Sequence, residues 1–370
     1  MTSADLEIQL IAVVVAVTCA LPGTFLVLRK LALMSDAISH SILLGIVLAF
    51  FVVEEITSPF LIVAAAGTGV LTVALVELLL RTRLVKEDAA IALVFPALFS
   101  VAVILISRYA GSVHLDLDAV LLGEIAFAPF RRLVVGGMDL GPESLWLMGG
   151  ILALNLFAVV VFYKELKLST FDAGLAAALG FSPVLLHYVF MGMVSVTAVG
   201  AFDAVGSILV VALMIAPPAA AYLLTDRLPV LLAGSTLIGA GAAISGFWMA
   251  RWLDASIAGS MAVMAGMAFL AALLFAPERG LVAGTRRKAG QRIEFAGLML
   301  TIHLLHHEDG IGALEENRVA HLGEHLRWTA DFAQRVVRRA EREGFVTRDA
   351  GDLLRLTPLG REVARHRMVT

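Results

Sequence analysis

Nine stretches of this chain, at about 8–28, 34–53, 60–80, 89–107, 144–163, 184–202, 204–224, 228–250 and 257–276, stay apolar over a bilayer's thickness. About 20 apolar residues span the ~30 Å hydrocarbon core as a helix. Inside lipid a backbone must satisfy its own hydrogen bonds, which leaves helices or closed barrels. The expected fold class is an all-α polytopic membrane protein with about nine transmembrane helices. With 59% hydrophobic and 16% charged residues, a soluble globular chain is excluded.

The net charge of −3 is unevenly spread: sixteen of 28 Lys and Arg, and six of nine His, follow Phe275. The reading is therefore a membrane domain over 1–276, a basic Gly-containing linker over 277–291, and a small second domain over 292–370. Cys19 is the one cysteine, so the chain forms no internal disulfide. The acidic start lacks a basic n-region, and the first run is read as a retained span rather than a cleaved signal. Arg29, Lys30, Arg81, Arg83, Lys86, Lys164, Lys167 and Arg227 fall on one side of the spans. By the positive-inside rule that side is cytoplasmic. The N-terminus is then outside and the C-terminal domain inside.

Residues 34–47, M-S-D-A-I-S-H-S-I-L-L-G-I-V, open the second span and place Asp36, Ser39 and His40 at i, i+3 and i+4, on one helical face. An acid inside a bilayer costs roughly 2.5–3.5 kcal/mol on insertion scales, so such groups usually face a cavity. Carboxylate and imidazole also suit first-row metals. On spacing alone two readings stand: a metal path, or a helix cap beside a histidine that bonds a neighbour.

The loop at 109–143 holds an apolar centre, 119–130, too short to cross and read as a re-entrant or interfacial helix. Glu124 lies in that run; His114, Asp116 and Asp118 precede it and read as metal collectors, a docking site or a solvated acidic loop. Residues 169–181, S-T-F-D-A-G-L-A-A-A-L-G-F, form a short helix capped by Ser169 or Thr170 and ended by Gly180, with Pro183 opening the next. It is either a docking element or a connector. Asp203 stands between two apolar runs, at an exposed turn if they are one bent helix. Pro217 and Pro218 are expected to break or kink the span that holds them.

Together these stretches resemble a family. M-S-D-A-I-S-H-S-I-L-L-G is similar to the G-D-A-x-S-H-A-x-L-P-G motif of permease subunits of ABC importers for manganese, zinc and iron. The run A-F-D-A-V-G-S-I-L-V-V-A-L-M-I-A-P-P-A-A-A-Y-L-L-T-D-R-L over 201–228 resembles that family's second signature. V-K-E-D-A-A-I-A-L-V-F-P and H-L-D-L-D-A-V-L-L-G-E-I-A-F-A-P resemble its manganese and iron branch. Ser35 replaces the motif's first Gly and Leu44 its Pro. The resemblance implies a half-transporter that pairs with a second permease chain, as homo- or heterodimer. It implies a separate ATPase subunit docking on 169–180 through Thr170, Phe171, Asp172, Gly174, Ala177 and Gly180. It also implies an extracytoplasmic metal-binding protein that delivers the ion. Asp36 and His40 match positions of the metal path, and Asp203 and Glu124 are carried as further path residues. The resemblance implies Mn²⁺ or Fe²⁺ as the transported ion and admits Zn²⁺, which the sequence does not rank against them; no permanently bound cofactor is expected. The chain is not itself an ATPase, since no G-x-x-x-x-G-K-[ST] loop occurs.

The tail reads as helices at about 294–307, 314–326 and 329–343, a two-stranded hairpin over 345–357, and a last helix from Pro358. R-R-A-E-R-E-G-F-V…L-R-L-T-P-L-G-R-E-V-A resembles iron-dependent-repressor metalloregulators, which implies a small cytoplasmic winged-helix α+β domain. Its expected core is Phe295, Leu298, Leu304, Leu322, Phe332, Val336, Phe345 and Leu356. His303 and His307, one turn apart, are candidate tail metal ligands. Arg335, Arg338, Arg339 and Arg342 form a candidate DNA face, weakened by interleaved acids. DNA ranks below a protein-contact or regulatory role. Two rival functions remain: an ion-coupled secondary metal transporter, and a membrane-tethered metal-responsive DNA-binding regulator.

Overall fold

A computed structural model describes residues 3–54, 58–109, 125–135, 137–308, 317–349 and 351–369. Two compact units divide the chain, Met1–Arg279 and Gly280–Thr370. In the first, nine of the described helices are long and apolar enough to cross a membrane. They are α1 (Ser3–Leu28), α2 (Ala32–Val53), α3 (Pro59–Arg81), α4 (Glu87–Tyr109), α5 (Glu143–Val161), α8 (Pro183–Val205), α9 (Ser207–Leu224), α10 (Leu228–Leu253) and α11 (Ile257–Phe275). Between α5 and α8 lie two short helices, α6 (Tyr163–Phe171) and α7 (Ala173–Ala178).

α1 is the most enclosed span, with 72% of its apolar window buried against 28% for α4, α5 and α11. It packs on α2, α5, α8, α9 and α10. Buried hydroxyls and one amide tie these helices where no water can. Asn155 donates to Thr197 Oγ1 (2.8 Å) and to the Thr18 carbonyl (3.3 Å), Thr24 pairs with Ser235 (2.8 Å), and Thr72 donates to Ser41 (2.6 Å). The outer sides of α4 and α5, with Ile104, Phe157 and Val160 more than 60% exposed, are apolar surface for lipid or another chain.

Of the break or kink expected at Pro217 and Pro218, the break is absent: helix α9 continues through both. The break lies earlier, at Gly206, whose φ of 78° and ψ of 164° separate α8 from α9. Pro218 lacks the N–H that would serve the Met214 carbonyl, and that orphan must be accommodated inside the bundle. The Met214 oxygen is the atom a Cβ on Gly23 would strike at 2.1 Å. Glycine at 23 lets the α1 backbone close against it, in the manner of Cα–H···O contacts between packed helices.

One end of this unit carries a rim of ion pairs. Arg132 bonds Glu7 and Asp139, Arg251 meets Asp5 at 2.5 Å, and Arg131 bridges Asp203 and Glu143. Arg131 and Arg132 project from a segment comprising a 3-10 turn (Ile125–Phe130) and the hairpin β1 (Arg132–Val135) with β2 (Met138–Pro142). Of the expected re-entrant helix, 119–124 and hence Glu124 lie outside the described residues, as do His114, Asp116 and Asp118.

The second unit comprises α12 (Leu281–His306), α13 (Leu322–His325), α14 (Ala330–Arg342), an antiparallel pair β3 (Val346–Arg348) and β4 (Leu354–Leu356), and α15 (Pro358–Val369). The stretch expected to be a linker is instead helical from Leu281 onward. Its Arg, Lys, Gln and Ala are good helix formers, which outweigh Gly284 and Gly290 at about 1 kcal/mol each. Of the expected second helix only Leu322–His325 is observed, and 309–316 lie outside the described residues. The core is Ala296, Leu300 and Leu304 from α12 packed on Leu322, Phe332, Val336, Val337, Ala340, Val346, Leu354 and Leu356. Phe295, expected inside, is 66% exposed: the buried stripe runs 296–300–304, one residue out of phase with it. Leu298 and Phe345 are partly buried.

Candidate functional site: an acid–imidazole pair and a helical turn tied to its base

α2 begins after a tight turn in which Lys30 takes a φ of 62°. Asp36 and His40 follow in its first turns, with His40 Nε2 3.4 Å from Asp36 Oδ1. Their side chains are 40% and 30% exposed, so the helix packing leaves both partly open. α4 holds the imidazole: its ring stacks on Phe95 at 5.8 Å and meets Phe99 edge-on at 6.1 Å. Ser39 stands apart, buried, its hydroxyl donating to the Ser35 carbonyl at 2.8 Å. Gly45 sets how closely α3 approaches α2, because a Cβ there would sit 2.3 Å from Thr68 Oγ1 and 2.5 Å from the Ala64 carbonyl.

Asp203 does not join this pair. A Cβ on Gly69 would touch both Ile38 and Ser195, and Ile42 shares a cluster with Val199, so α2 and α8 run side by side in the same direction. Asp203 is therefore level with about Ile46, six residues and ~9 Å beyond His40 along the axis. Its carboxylate is held by both oxygens on Arg131 Nη1, at 3.0 and 2.9 Å. Among the described residues no three His, Cys, Asp or Glu side chains converge on one metal position. Two donors bind a metal weakly, which suits passage rather than storage.

The 169–181 stretch folds differently in detail from its expected pattern. Asp172, not Ser169 or Thr170, is the cap of α7: its Oδ1 accepts from the Leu175 N–H at 2.8 Å. Gly180, at φ 87°, ends the turn, with its N–H on the Ala177 carbonyl and Phe181 N–H on that of Ala176. Pro183 then opens α8 behind a Ser182 cap. Thr170 and Phe171 end α6, and Gly174 and Ala177 lie on α7 with open exposure. Phe171, Leu175 and Leu179 are 63%, 47% and 61% exposed, an apolar surface that the described residues of the first unit leave uncovered.

Ser169 and Thr170 serve Arg29, a residue the sequence marked only as a topological charge. Arg29 Nε donates to Thr170 Oγ1 (3.0 Å) and Nη2 to Ser169 Oγ (2.9 Å), and the guanidinium lies 4.5 Å over the Phe190 ring. Burial pushes its pKa down to about 10, still charged near neutrality. The base of α2 is thus pinned to the residues just before α7.

The tail candidates part company. Arg335 and Arg339 pair with Asp331 (3.2 Å) and Glu343 (2.8 Å) on their own helix, and Arg338 Nε reaches the Gln334 carbonyl. Arg342 lies on the same helix, two residues before Gly344 ends the turn. The rings of His303 and His307 are 4.6 Å apart.

The model of the ABC 3 transport family matches residues 6–276. The chain belongs to this family. Among its relatives is "Zinc transport system membrane protein TroD" of Treponema pallidum (strain Nichols), 49% identical over 363 residues and 98% of each chain. "Manganese transport system membrane protein MntD" of Bacillus subtilis (strain 168) is 48% identical over 285 residues, 77% of this chain and 96% of the relative. The first alignment takes in most of the second unit of this ABC 3 chain, which lies beyond the family match. Among solved structures, "PsaBC from Streptococcus pneumoniae in complex with Fab" is similar with a TM-score of 0.63 and 27% identity. It covers 75% of this chain and 94% of that one.

Proposed function

We propose that this ABC 3 chain is the membrane-spanning permease subunit of an ATP-driven importer of a divalent first-row metal ion. The observation that carries the reading is the Asp36–His40 pair, a carboxylate and an imidazole side by side and partly exposed near the base of α2. Mn²⁺, Zn²⁺ and Fe²⁺ are the ions in question, and the named relatives divide between zinc and manganese. Carboxylate with imidazole serves all three. The permease pairs with a second permease chain, receives metal from an extracytoplasmic binding protein, and docks a separate ATPase on the exposed face of α7. The N-terminus is outside and the second unit cytoplasmic, as the placement of Arg29, Arg81, Lys164 and Arg227 supports. Asp203 and Arg131 then form part of the outer rim, where an ion enters. Metal uptake into proteoliposomes holding the permease, ATPase and binding protein is expected to require ATP, with Mn²⁺, Zn²⁺ and Fe²⁺ compared in competition. Uptake driven by a proton or sodium gradient without ATP would favour the secondary-transporter reading.

Arg29 is read here as the mechanical tie between ATPase docking and the metal path. Its planar fork spans two hydroxyls, a geometry that a lysine ammonium does not reproduce. Arg29→Lys is expected to retain ATPase binding and basal hydrolysis while uptake per ATP falls about 10-fold, equivalent to ~1.4 kcal/mol of lost coupling. Uptake per ATP equal to wild type would remove Arg29 from the coupling path.

The second unit is read as a winged-helix regulatory module, its hairpin β3–β4 forming the wing. Two of its four candidate arginines already carry carboxylate partners, which favours protein contact over DNA phosphate as its role.

A further inference from the structure

We propose that His303, His307 and His325 form a binding site in the second unit for a divalent metal ion with a preference for nitrogen donors, of the Zn²⁺ or Co²⁺ kind. His303 lies in the last turn of α12 and His307 just past its end, one turn on; the third comes from α13, some twenty residues later in the chain. Their ring centres are 4.6 Å (303–307), 5.7 Å (303–325) and 6.1 Å (307–325) apart. Three imidazoles set tetrahedrally on a metal at Zn–N distances of ~2.0–2.1 Å would have their centres ~5 Å apart. The observed triangle brackets that value. The three planes are also inclined to one another by 50°, 42° and 52°, as blades around an axis and not as a flat stack.

The ring nitrogens do not yet converge on one point. His325, exposed on a four-residue helix, is the ring with most freedom to turn toward the other two. His303 and His307 are held more firmly, being partly buried beside Leu300 and Leu304 of the core stripe. The acid next in sequence, Glu308, is engaged by Arg361 at 2.7 Å, and water is the proposed fourth ligand. Such a donor set, without thiolate or free carboxylate, selects Zn²⁺, Co²⁺ or Ni²⁺ over Mn²⁺. It would therefore respond to an ion other than manganese even in a manganese transporter. This site stands independently of the transport reading, because binding to the purified chain needs no uptake.

The test uses the full-length chain in detergent carrying Asp36→Ala and His40→Ala, which removes the other acid–imidazole pair. Zn²⁺ alone is added, and X-ray absorption at the zinc edge counts imidazole ligands with every tail histidine intact. One tightly bound zinc per chain with three imidazoles is expected; two or fewer imidazoles would overturn the site. Co²⁺ titration followed by its visible absorption then compares His303→Ala, His307→Ala and His325→Ala, each expected to weaken binding at least about 10-fold. His366→Ala, on α15, is expected to bind as the parent does. Equal affinity in all three variants, or the same loss in His366→Ala, would also overturn it.

Discussion

Alanine at either Asp36 or His40 is expected to lower metal uptake by at least about 100-fold while the protein still inserts and assembles. Loss of a residue that merely orients a metal ligand costs 10–100-fold, and loss of one of only two donors costs no less. The fold should tolerate both changes, because neither side chain belongs to the buried core: they are 40% and 30% exposed and paired chiefly with each other. His40→Ala removes contacts to Phe95 and Phe99, so a modest loosening of α2 against α4 accompanies it. Asp36→Asn separates charge from shape by keeping the side chain's size and removing its anionic oxygen. Radiolabelled uptake into proteoliposomes, with membrane yield and gel-filtration profile measured beside it, reads the effect. Wild-type uptake in both alanine variants would exclude the pair from the path.

The spans were readable in the sequence because lipid imposes one rule on every residue of a crossing helix, and uninterrupted apolar runs satisfy it. What tertiary packing decides was not readable. Proline reads as a helix breaker, yet Pro217 and Pro218 sit inside a continuous α9, and Gly23, nearly two hundred residues away, packs against the Met214 carbonyl that Pro218 strands. The break between α8 and α9 lies at Gly206, three residues past Asp203, where the two apolar runs were divided, and Asp203 itself lies inside α8. Phe295 shows the limit of periodicity at small amplitude: a one-residue error of phase turned an exposed ring into an expected core residue. In 277–291 glycines suggested a linker, though the summed propensity of its Arg, Lys, Gln and Ala favours helix.

At the site, local pattern succeeded where both partners lie on one helix. Asp36 and His40, at i and i+4, meet as their spacing requires. Contacts between distant segments had no local signal. Arg131 takes the Asp203 carboxylate across 72 positions, and Arg29 reaches Ser169 and Thr170 across about twice that distance in sequence. His325 likewise reaches His303 and His307 only through the fold of the second unit. The cap expected at Ser169 or Thr170 lies three or two residues later, at Asp172.

That cap makes a decisive test of α7 practicable. Ala176 is fully buried, and a charge there would destroy the turn before any partner could report on it. Ala177, its neighbour, is exposed, and arginine is a good helix former, so Ala177→Arg leaves the Asp172 cap and the Gly180 stop intact. If an ATPase covers Phe171, Leu175 and Leu179, the new guanidinium enters an apolar interface without a partner. Burying such a charge unpaired costs several kcal/mol, and the group escapes that cost by pushing the surfaces apart. Association is then expected to fall at least about 10-fold, the equivalent of ~1.4 kcal/mol, with ATP-driven uptake falling alongside it. Co-purification of the ATPase with the variant permease measures the first effect, and proteoliposome uptake the second. Ala177→Ser, small and uncharged, should behave as wild type and so exclude a simple loss of the alanine methyl. ATPase binding and uptake unchanged in Ala177→Arg would make α7 a plain connector, and the docking surface would have to be sought elsewhere on the same side of the bundle.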